Sequence, residues 1–405
     1  MNATVRNIDS HELPQMLANL GTGIVGSPIP PTEAERFAAI LELDRTFCAF
    51  DGDDMVGTSA NLSLSMTVPG GEAGCAGVTM VTVQPTHRRR GIMSMMMRRM
   101  LDDAHDRGEP LAALWASEES IYQRYGFGLA ADEAHVDIDR DRMVFLDGAD
   151  IAGQVRLISL DEAVKVLPEV YDRVRPQVPG MLSRSEEWWR HHRLGDPERH
   201  REGSGPLTCG VLEHEGRLEG FVLYRIKPHF KPNGVVAHTL KVEELIGDGA
   251  RAQHDLWRYV FGVDLVERIK GWFLPSDLVL TLSVTEPRRL GFGTSESFWL
   301  RLVDVEAALE ARTYEPGTPV VIEVTDSYCD WNAGRYRVSP TGAAPTEEEA
   351  DLRLDVGSLA AIYLGEFTFV RLARSLRVEE LKEGALRRAD RLFQTNQAPW
   401  CPESF

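Results

Sequence analysis

Three arginines and a glycine, Arg88-Arg89-Arg90-Gly91, follow an apolar run, Val78–Val83, through the short loop Gln84–His87. They lead into a Met-rich segment, Ile92–His105. A strand that passes through a basic loop into a helix can seat a pyrophosphate. The first turn of a helix carries backbone N–H groups with no intrahelical partner, and the partial positive charge of the helix start adds to their pull on an anion. Gly91 lets the backbone come close, and the guanidinium groups of Arg88, Arg89 and Arg90 supply charged donors around the phosphates. About thirty residues on, Trp115–Phe127 reads as a strand end followed by a short helix that presents a phenol, Tyr122. A phenol of ordinary pKa about 10 can donate a proton to a group held close to it, here whatever the phosphate tail carries. Tyr125, three residues later, is the alternative donor.

These residues need a sheet to hold them, and the flanking sequence supplies one. Thr4–Ile8 reads as a strand, with helical stretches around His11–Leu20 and Pro31–Leu43. A hairpin follows: Thr46–Phe50, the turn Asp51-Gly52, and Met55–Ala60. The same plan recurs as Cys209–Glu213, the turn Glu215-Gly216, and Leu218–Ile226. Both hairpins have a strand, an acidic-Gly turn and a return strand bearing glycine. After the second come a strand, Leu240–Ile246, the loop Gly247-Asp248-Gly249 and a helix, Ala250–Phe261. This is a degenerate internal repeat. Asp248 stands where the first repeat has arginines, and a carboxylate there repels pyrophosphate, so the second repeat is expected to shape the substrate cleft without binding the cofactor. Beyond about Phe292, strands are expected at Phe298–Leu302, Pro319–Thr325, Tyr336–Val338 and Asp351–Asp355, with helices at Val356–Tyr363 and about Val378–Phe393. A chain of 405 residues should hold two or three domains, and the pattern divides it as 1–145, 146–290 and 291–405.

Net charge is −18, which argues against a nucleic-acid partner. It fits a cationic substrate drawn in by a negative field, and equally a simple solubility role. The five cysteines are scattered and never closely paired, which suggests neither disulfides nor a zinc site and fits a reducing cytoplasm. The N-terminal residues carry no apolar leader and no window is long enough for a membrane span. Met93, Met95, Met96, Met97 and Met100 read as helix core and not as chemistry. The last segment, Ala398–Phe405, is unusually apolar for a tail and suited either to docking or to plain packing on the core.

Arg88-Arg-Arg-Gly91-Ile-Met93 resembles the acetyl-CoA loop of the GCN5-related N-acetyltransferases (GNAT), departing from it at Met93, where a small residue is usual. Ile121-Tyr122-x-x-x-Gly126-Phe127 matches the segment that carries that superfamily's acid tyrosine. Together with Val81–Ser94, Ser117–Phe127 and Arg388–Phe405, these motifs are similar to the actinobacterial Eis (enhanced intracellular survival) acetyltransferases over essentially the whole chain. The resemblance implies an α/β (α+β) fold: two tandem GNAT-like mixed-sheet domains, the second without cofactor, then a sterol-carrier-protein-like α+β domain. It also implies a cytoplasmic homohexamer that moves acetyl groups from acetyl-CoA, with no metal, to primary amines of cationic substrates such as aminoglycosides. Tyr122 would be the acid and the terminal carboxylate of Phe405 the base. Val81, Thr82 and Val83 would pair with the pantetheine arm, and Arg88 to Ser94, including Ile92 and Met93, would wrap the pyrophosphate. Ser117 and Glu118 would lie near the acetyl end, although Ser117 could equally be a helix N-cap. The family's aminoglycoside pocket uses acidic and aromatic side chains, yet Gly21–Pro31 here has neither. A protein lysine or N-terminal acetyltransferase, and a lipid-binding protein with a vestigial acetyltransferase domain, are the alternatives.

Overall fold

The computed structural model describes residues 3–25, 29, 31–146 and 152–405; part of the Gly21–Pro31 segment lies outside them. The first stretch runs β1 (Thr4–Arg6), α1 (Leu13–Val25), α2 (Pro31–Ile40), β2 (Cys48–Asp51), β3 (Asp54–Val68), β4 (Gly71–Val83), α3 (Ile92–Asp106), β5 (Leu111–Trp115), α4 (Glu119–Tyr122) and β6 (Gly128–Asp139). The second runs β7 (Gln154–Ile158), α5 (Leu160–Val174), β8 (Thr208–His214), β9 (Arg217–Lys227), β10 (His238–Gly247), α6 (Ala250–Gly262), β11 (Val266–Pro275) and α7 (Leu280–Ser283). The third runs β12 (Gly293–Leu302), α8 (Val305–Ala311), β13 (Val320–Thr325), β14 (Gly334–Ser339), β15 (Gly342–Pro345), β16 (Leu352–Asp355), α9 (Val356–Tyr363), α10 (Phe369–Arg374), β17 (Val378–Glu380) and α11 (Ala385–Phe393).

Two compact units result, one of residues 1–131, 297–396 and 403–405, the other of residues 132–296 and 397–402. In the first unit the strands lie in the order β1-β2-β3-β4-β5-β12, with only β4 and β5 parallel. A parallel pair needs a crossover, and α3 is that crossover. Its buried stripe (Met97, Met100, Leu101, Ala104) packs on Ala76, Val78, Ala112 and Leu114. Met16, Leu17 and Leu20 of α1 cover the other side against Ala60 and Met80. Full burial of each such side chain contributes roughly 1.5–3 kcal/mol. Met96, Met97 and Met100 are core as expected, but Met95 is 41% exposed, because it falls on the solvent side of the helical repeat. The far end of α3 is pinned by Arg45, which has no exposed surface and reaches Asp103 at 2.8 Å and Glu109 at 2.6 Å.

The same unit holds a five-stranded sheet, β15-β14-β13-β16-β17. Helix α9, buried along its whole length, follows the cap at Asp355, whose carboxylate accepts from the Ser358 N–H at 2.8 Å. The expected helix over Val378–Phe393 is instead a strand and a later helix. Val378 pairs with Leu354, Glu380 with Leu352, and Gly384 in the left-handed region (φ +80) ends the turn before α11. Of the apolar stripe Leu381, Ala385, Ala389, Leu392 and Phe393, all but Leu381 fall in α11.

The second unit orders its strands β6-β11-β10-β9-β8-β7, with β10 and β11 parallel. Helices α5 and α6 cover opposite faces. This repeats the β4–α3–β5 plan. Asp248 is there as expected, but it does not stand as an uncompensated charge: Arg173 and Arg217 hold it at 3.2 and 2.8 Å. Strands β10 and β11 stop pairing after Val242–Gly271. Fully buried Glu244 binds Arg184 at 2.5 Å and Arg193 at 2.8 Å, and Arg193 also donates to the Glu243 carbonyl at 2.8 Å. Trp400 of the tail docks in this unit, giving its indole N–H to the Phe273 carbonyl at 2.7 Å.

Candidate active site

Strand β4 does not run straight. Thr58 of β3 faces Thr82 and Ala60 faces Thr79, so Met80 and Val81 together oppose the single residue Ser59. This β-bulge puts Met80 at φ +55, a conformation that costs a side-chain-bearing residue about 1–3 kcal/mol and persists only when its surroundings enforce it. Thr58 does so: its hydroxyl donates to the Met80 carbonyl at 2.7 Å. The bulge turns the end of β4 away from β5. The two strands pair only from Cys75–Leu111 to Gly77–Ala113, whereas β5 continues pairing with β12 through Trp115. A gap with strand edges on both sides opens there, and backbone N–H and C=O groups along it can pair with an extended amide-bearing chain.

The gap is a cavity of about 610 Å³. Val81, Thr82 and Val83 form one wall, and Ser117 and Glu118 are on the opposite side. Its polar end is the loop Arg88, Arg89, Gly91 and the first turn of α3, with Ile92, Met93 and Ser94. Arg88 and Arg89 are exposed. Arg88 bridges the loop to its surroundings, donating to the Val83 carbonyl at 3.1 Å and the Gly23 carbonyl at 3.2 Å. Gly91 is the N-cap of α3, at φ +82, and a Cβ built on it meets no atom within 4 Å. That open space beside free helix-start N–H groups and guanidinium donors fits a pyrophosphate.

Tyr122 lines the same cavity and is 6% exposed. Its ring meets Phe127 edge-on at 6.0 Å, and among the described residues its hydroxyl has no hydrogen-bond partner. Burial, and to a lesser degree Tyr125, pushes the phenol up to about 12, so it is neutral and a proton donor at physiological pH. Tyr125 is buried too and lines the cavity, but its hydroxyl is engaged by the Ser94 hydroxyl at 3.0 Å.

Two expected residues do not line this cavity: Arg90, which is exposed on the loop, and Phe405. The Phe405 ring lies against Gly77 of β4, where a Cβ would be 3.3 Å from Cε2. Ser117 is not the cap of α4; Glu118 holds that position, without a side-chain bond. Sequence reasoning missed Gly23, His87, Ile121 and Arg124 on the wall. Gly23 had a usable signal, a glycine inside a helix: a Cβ there would stand 2.1 Å from the Thr82 Oγ1, so α1 can approach β4 only with glycine at that point. Among the described residues no cluster of His, Cys, Asp or Glu could hold a metal, and no helix is long and apolar enough to cross a membrane.

Residues 4–130 and 180–302 each match an acetyltransferase (GNAT) domain, and residues 305–402 match a sterol carrier protein domain. The chain is 40% identical over 380 residues to an uncharacterised N-acetyltransferase of Streptomyces avermitilis, with 92% of each chain covered. It is 32% identical over 384 residues to the N-acetyltransferase Eis of Mycobacterium tuberculosis, with 91% of each covered. The crystal structure of Eis1 from Mycobacterium abscessus superposes with a TM-score of 0.87 at 34% identity, covering 99% of this chain and all of that one. The chain belongs to the Eis family of N-acetyltransferases. Its fold is thus two GNAT domains and a sterol-carrier-like domain, and the GNAT fold implies use of acetyl-CoA. In this Eis-family chain the bulge residue Val81, the arginine loop and Tyr122 meet at one cavity, whereas in the second GNAT domain Glu244 of β10 is engaged by Arg184 and Arg193.

Proposed function

We propose that this Eis-family enzyme transfers the acetyl group of acetyl-CoA directly to a primary amine of a small cationic substrate, such as a polyamine or an aminoglycoside. One observation carries the reading: a cationic helix start and a buried phenol, without a hydrogen-bond partner among the described residues, share one cavity. The Arg88–Ser94 loop and the first turn of α3 hold the pyrophosphate, and the open edge at Val81–Val83 pairs with the pantetheine amides. Bound acetyl-CoA supplies an activated thioester carbonyl. Tyr122 donates its proton late, as the carbon–sulfur bond breaks, because a phenol raised to about 12 is too weak an acid to give it up earlier. The Phe405 carboxylate, carried on a segment whose Glu403 and Trp400 are buried, serves as base toward the incoming ammonium or holds it by charge. Its negative end matches a cationic amine, as does the net charge of −18. A cytoplasmic homohexamer belongs to the same proposal, and light scattering after size exclusion tests the assembly.

The deciding experiment follows free thiol released from acetyl-CoA with a panel of polyamines, aminoglycosides and lysyl peptides. Tyr122→Phe should lose about 10²-fold or more in kcat while binding CoA as before. A Tyr122→Phe enzyme at the wild-type rate refutes the acid role. Turnover confined to lysyl peptides replaces the small amine with a protein substrate.

A further inference from the structure

The sterol-carrier-like domain is not merely attached to the acetyltransferase domain; one of its loops touches Ser94 and Tyr125, two residues that line the cavity. Tyr328, within the part matching a sterol carrier protein, donates its hydroxyl to the Ser94 carbonyl on the first turn of α3 at 2.7 Å. Its ring meets Tyr125 edge-on, with centroids 5.0 Å apart. Tyr125 in turn shares a hydrogen bond with the Ser94 hydroxyl at 3.0 Å. Three elements are thereby joined pairwise: the helix start that would grip the pyrophosphate, the turn that carries Tyr122, and a loop of the third domain. A closed triangle has one shape, whereas any two of its links would leave a hinge.

The loop itself is held rigidly. Asp326 accepts from the backbone N–H groups of Tyr328 and Cys329 at 3.0 Å each, and from the Asn332 amide at 3.0 Å. Its charge is met by the fully buried Arg301. The Arg301 guanidinium also lies under Gly126, close to the carbonyl of that residue, four positions after Tyr122. On the outer side, Arg98 of α3 lies over the Tyr328 ring at 4.3 Å and donates to the Tyr328 carbonyl.

We propose that Tyr328 is a positioning residue for acetyl transfer: through Ser94 and Tyr125 it fixes the distance between the phosphate-binding helix start and Tyr122. This rests on Tyr122 as the acid. A cosubstrate anchored at one end presents its thioester to Tyr122 only if that spacing is constant, and misplacement of about 1 Å can cost about 10²-fold. The third domain then contributes to catalysis without touching the reacting atoms.

The test removes one oxygen. Tyr328→Phe keeps the ring and both ring contacts but loses the bond to Ser94. Its thermal midpoint should fall by no more than about 4 °C, and its calorimetric affinity for CoA should match the wild type. Its kcat should drop roughly ten- to hundredfold. Adding Tyr328→Phe to Tyr122→Phe should cost nothing further, because the residue acts through Tyr122. A wild-type kcat in Tyr328→Phe overturns the proposal, as does an equal loss in both backgrounds or a loss explained by weaker CoA binding. Should Tyr122→Phe alone retain full activity, the acid assignment fails first and this role falls with it. A slow Tyr122→Phe beside a fast Tyr328→Phe removes only the clamp.

Discussion

Gly91 and Gly126 have nearly the same backbone conformation, at φ +82 and +83, and opposite surroundings. Alanine at either position bears the left-handed penalty, about 1 kcal/mol. At Gly91 that is the whole cost to the folded chain, since a Cβ meets nothing within 4 Å. At Gly126 the Cβ would lie 2.1 Å from Nη1 and 2.7 Å from Cζ of Arg301, and 2.8 Å from Cγ1 of Val356. Ordinary contact needs roughly 3.5 Å, so the guanidinium must withdraw by an ångström or more. Arg301 has no exposed surface and is paired with Asp326. Opening such a pair costs about 3–5 kcal/mol because a buried charge loses its partner. Gly126→Ala should therefore lose about 4–6 kcal/mol and Gly91→Ala about 1 kcal/mol. Denaturant unfolding followed by tryptophan fluorescence measures both. Binding should rank them the other way: in Gly91→Ala the new methyl occupies the space beside the arginine loop, and CoA affinity should fall about tenfold or more. Equal stability losses would refute the packing reasoning, and unchanged CoA affinity in Gly91→Ala would refute the placement of the pyrophosphate.

The pH–rate profile should reflect the buried phenol. Tyr122 is raised to about 12, above its unfolded value of about 10, so its acid form persists and kcat should not turn down below about pH 11 on its account. By the same sign, its contribution to stability is present below pH 10 and is lost as pH rises through 12. Glu133, 9% exposed with one carboxylate oxygen unpartnered, is raised to about 7, first of all by burial. Its penalty is absent below about 4.5 and complete above 7, so Glu133→Gln should stabilise the protein at pH 8 by on the order of 1–3 kcal/mol. That gain should vanish near pH 4.5, and a pH-independent difference in urea midpoints would contradict it. Calorimetry should count one CoA site per chain, because the second repeat has Asp248, held by Arg173 and Arg217, where the first has its arginine loop; a stoichiometry of two would overturn that expectation.

Local patterns carried far in this chain. The order of apolar run, basic loop, glycine and amphipathic helix is a local device, and a strand–loop–helix follows from it wherever it occurs. The repeated hairpins with acidic-Gly turns announced a duplicated plan for similar reasons, and Val356–Tyr363 is a helix with the bounds its pattern suggests. The helix expected over Val378–Phe393 was too long, because Val378, Glu379 and Glu380 found strand partners in β16, which no local period reveals. Asp248 was visible, but its two arginines come from α5 and β9, distant in sequence.

The cavity depended on tertiary structure. A bulge at Met80 has no side-chain signature; it exists because Thr58 ties the Met80 carbonyl and because β4 and β5 part after Gly77. Likewise Tyr328 stands more than two hundred residues from Ser94 in the chain, and only the packing of the third domain on α3 brings them together. Residue types and spacing determined which groups could bind phosphate and donate a proton, since those capacities reside in the side chain and its immediate backbone. Distances between such groups were decided by the assembled fold, because a hydrogen bond or a steric stop acts over a few ångströms of space, whatever the length of chain between its ends.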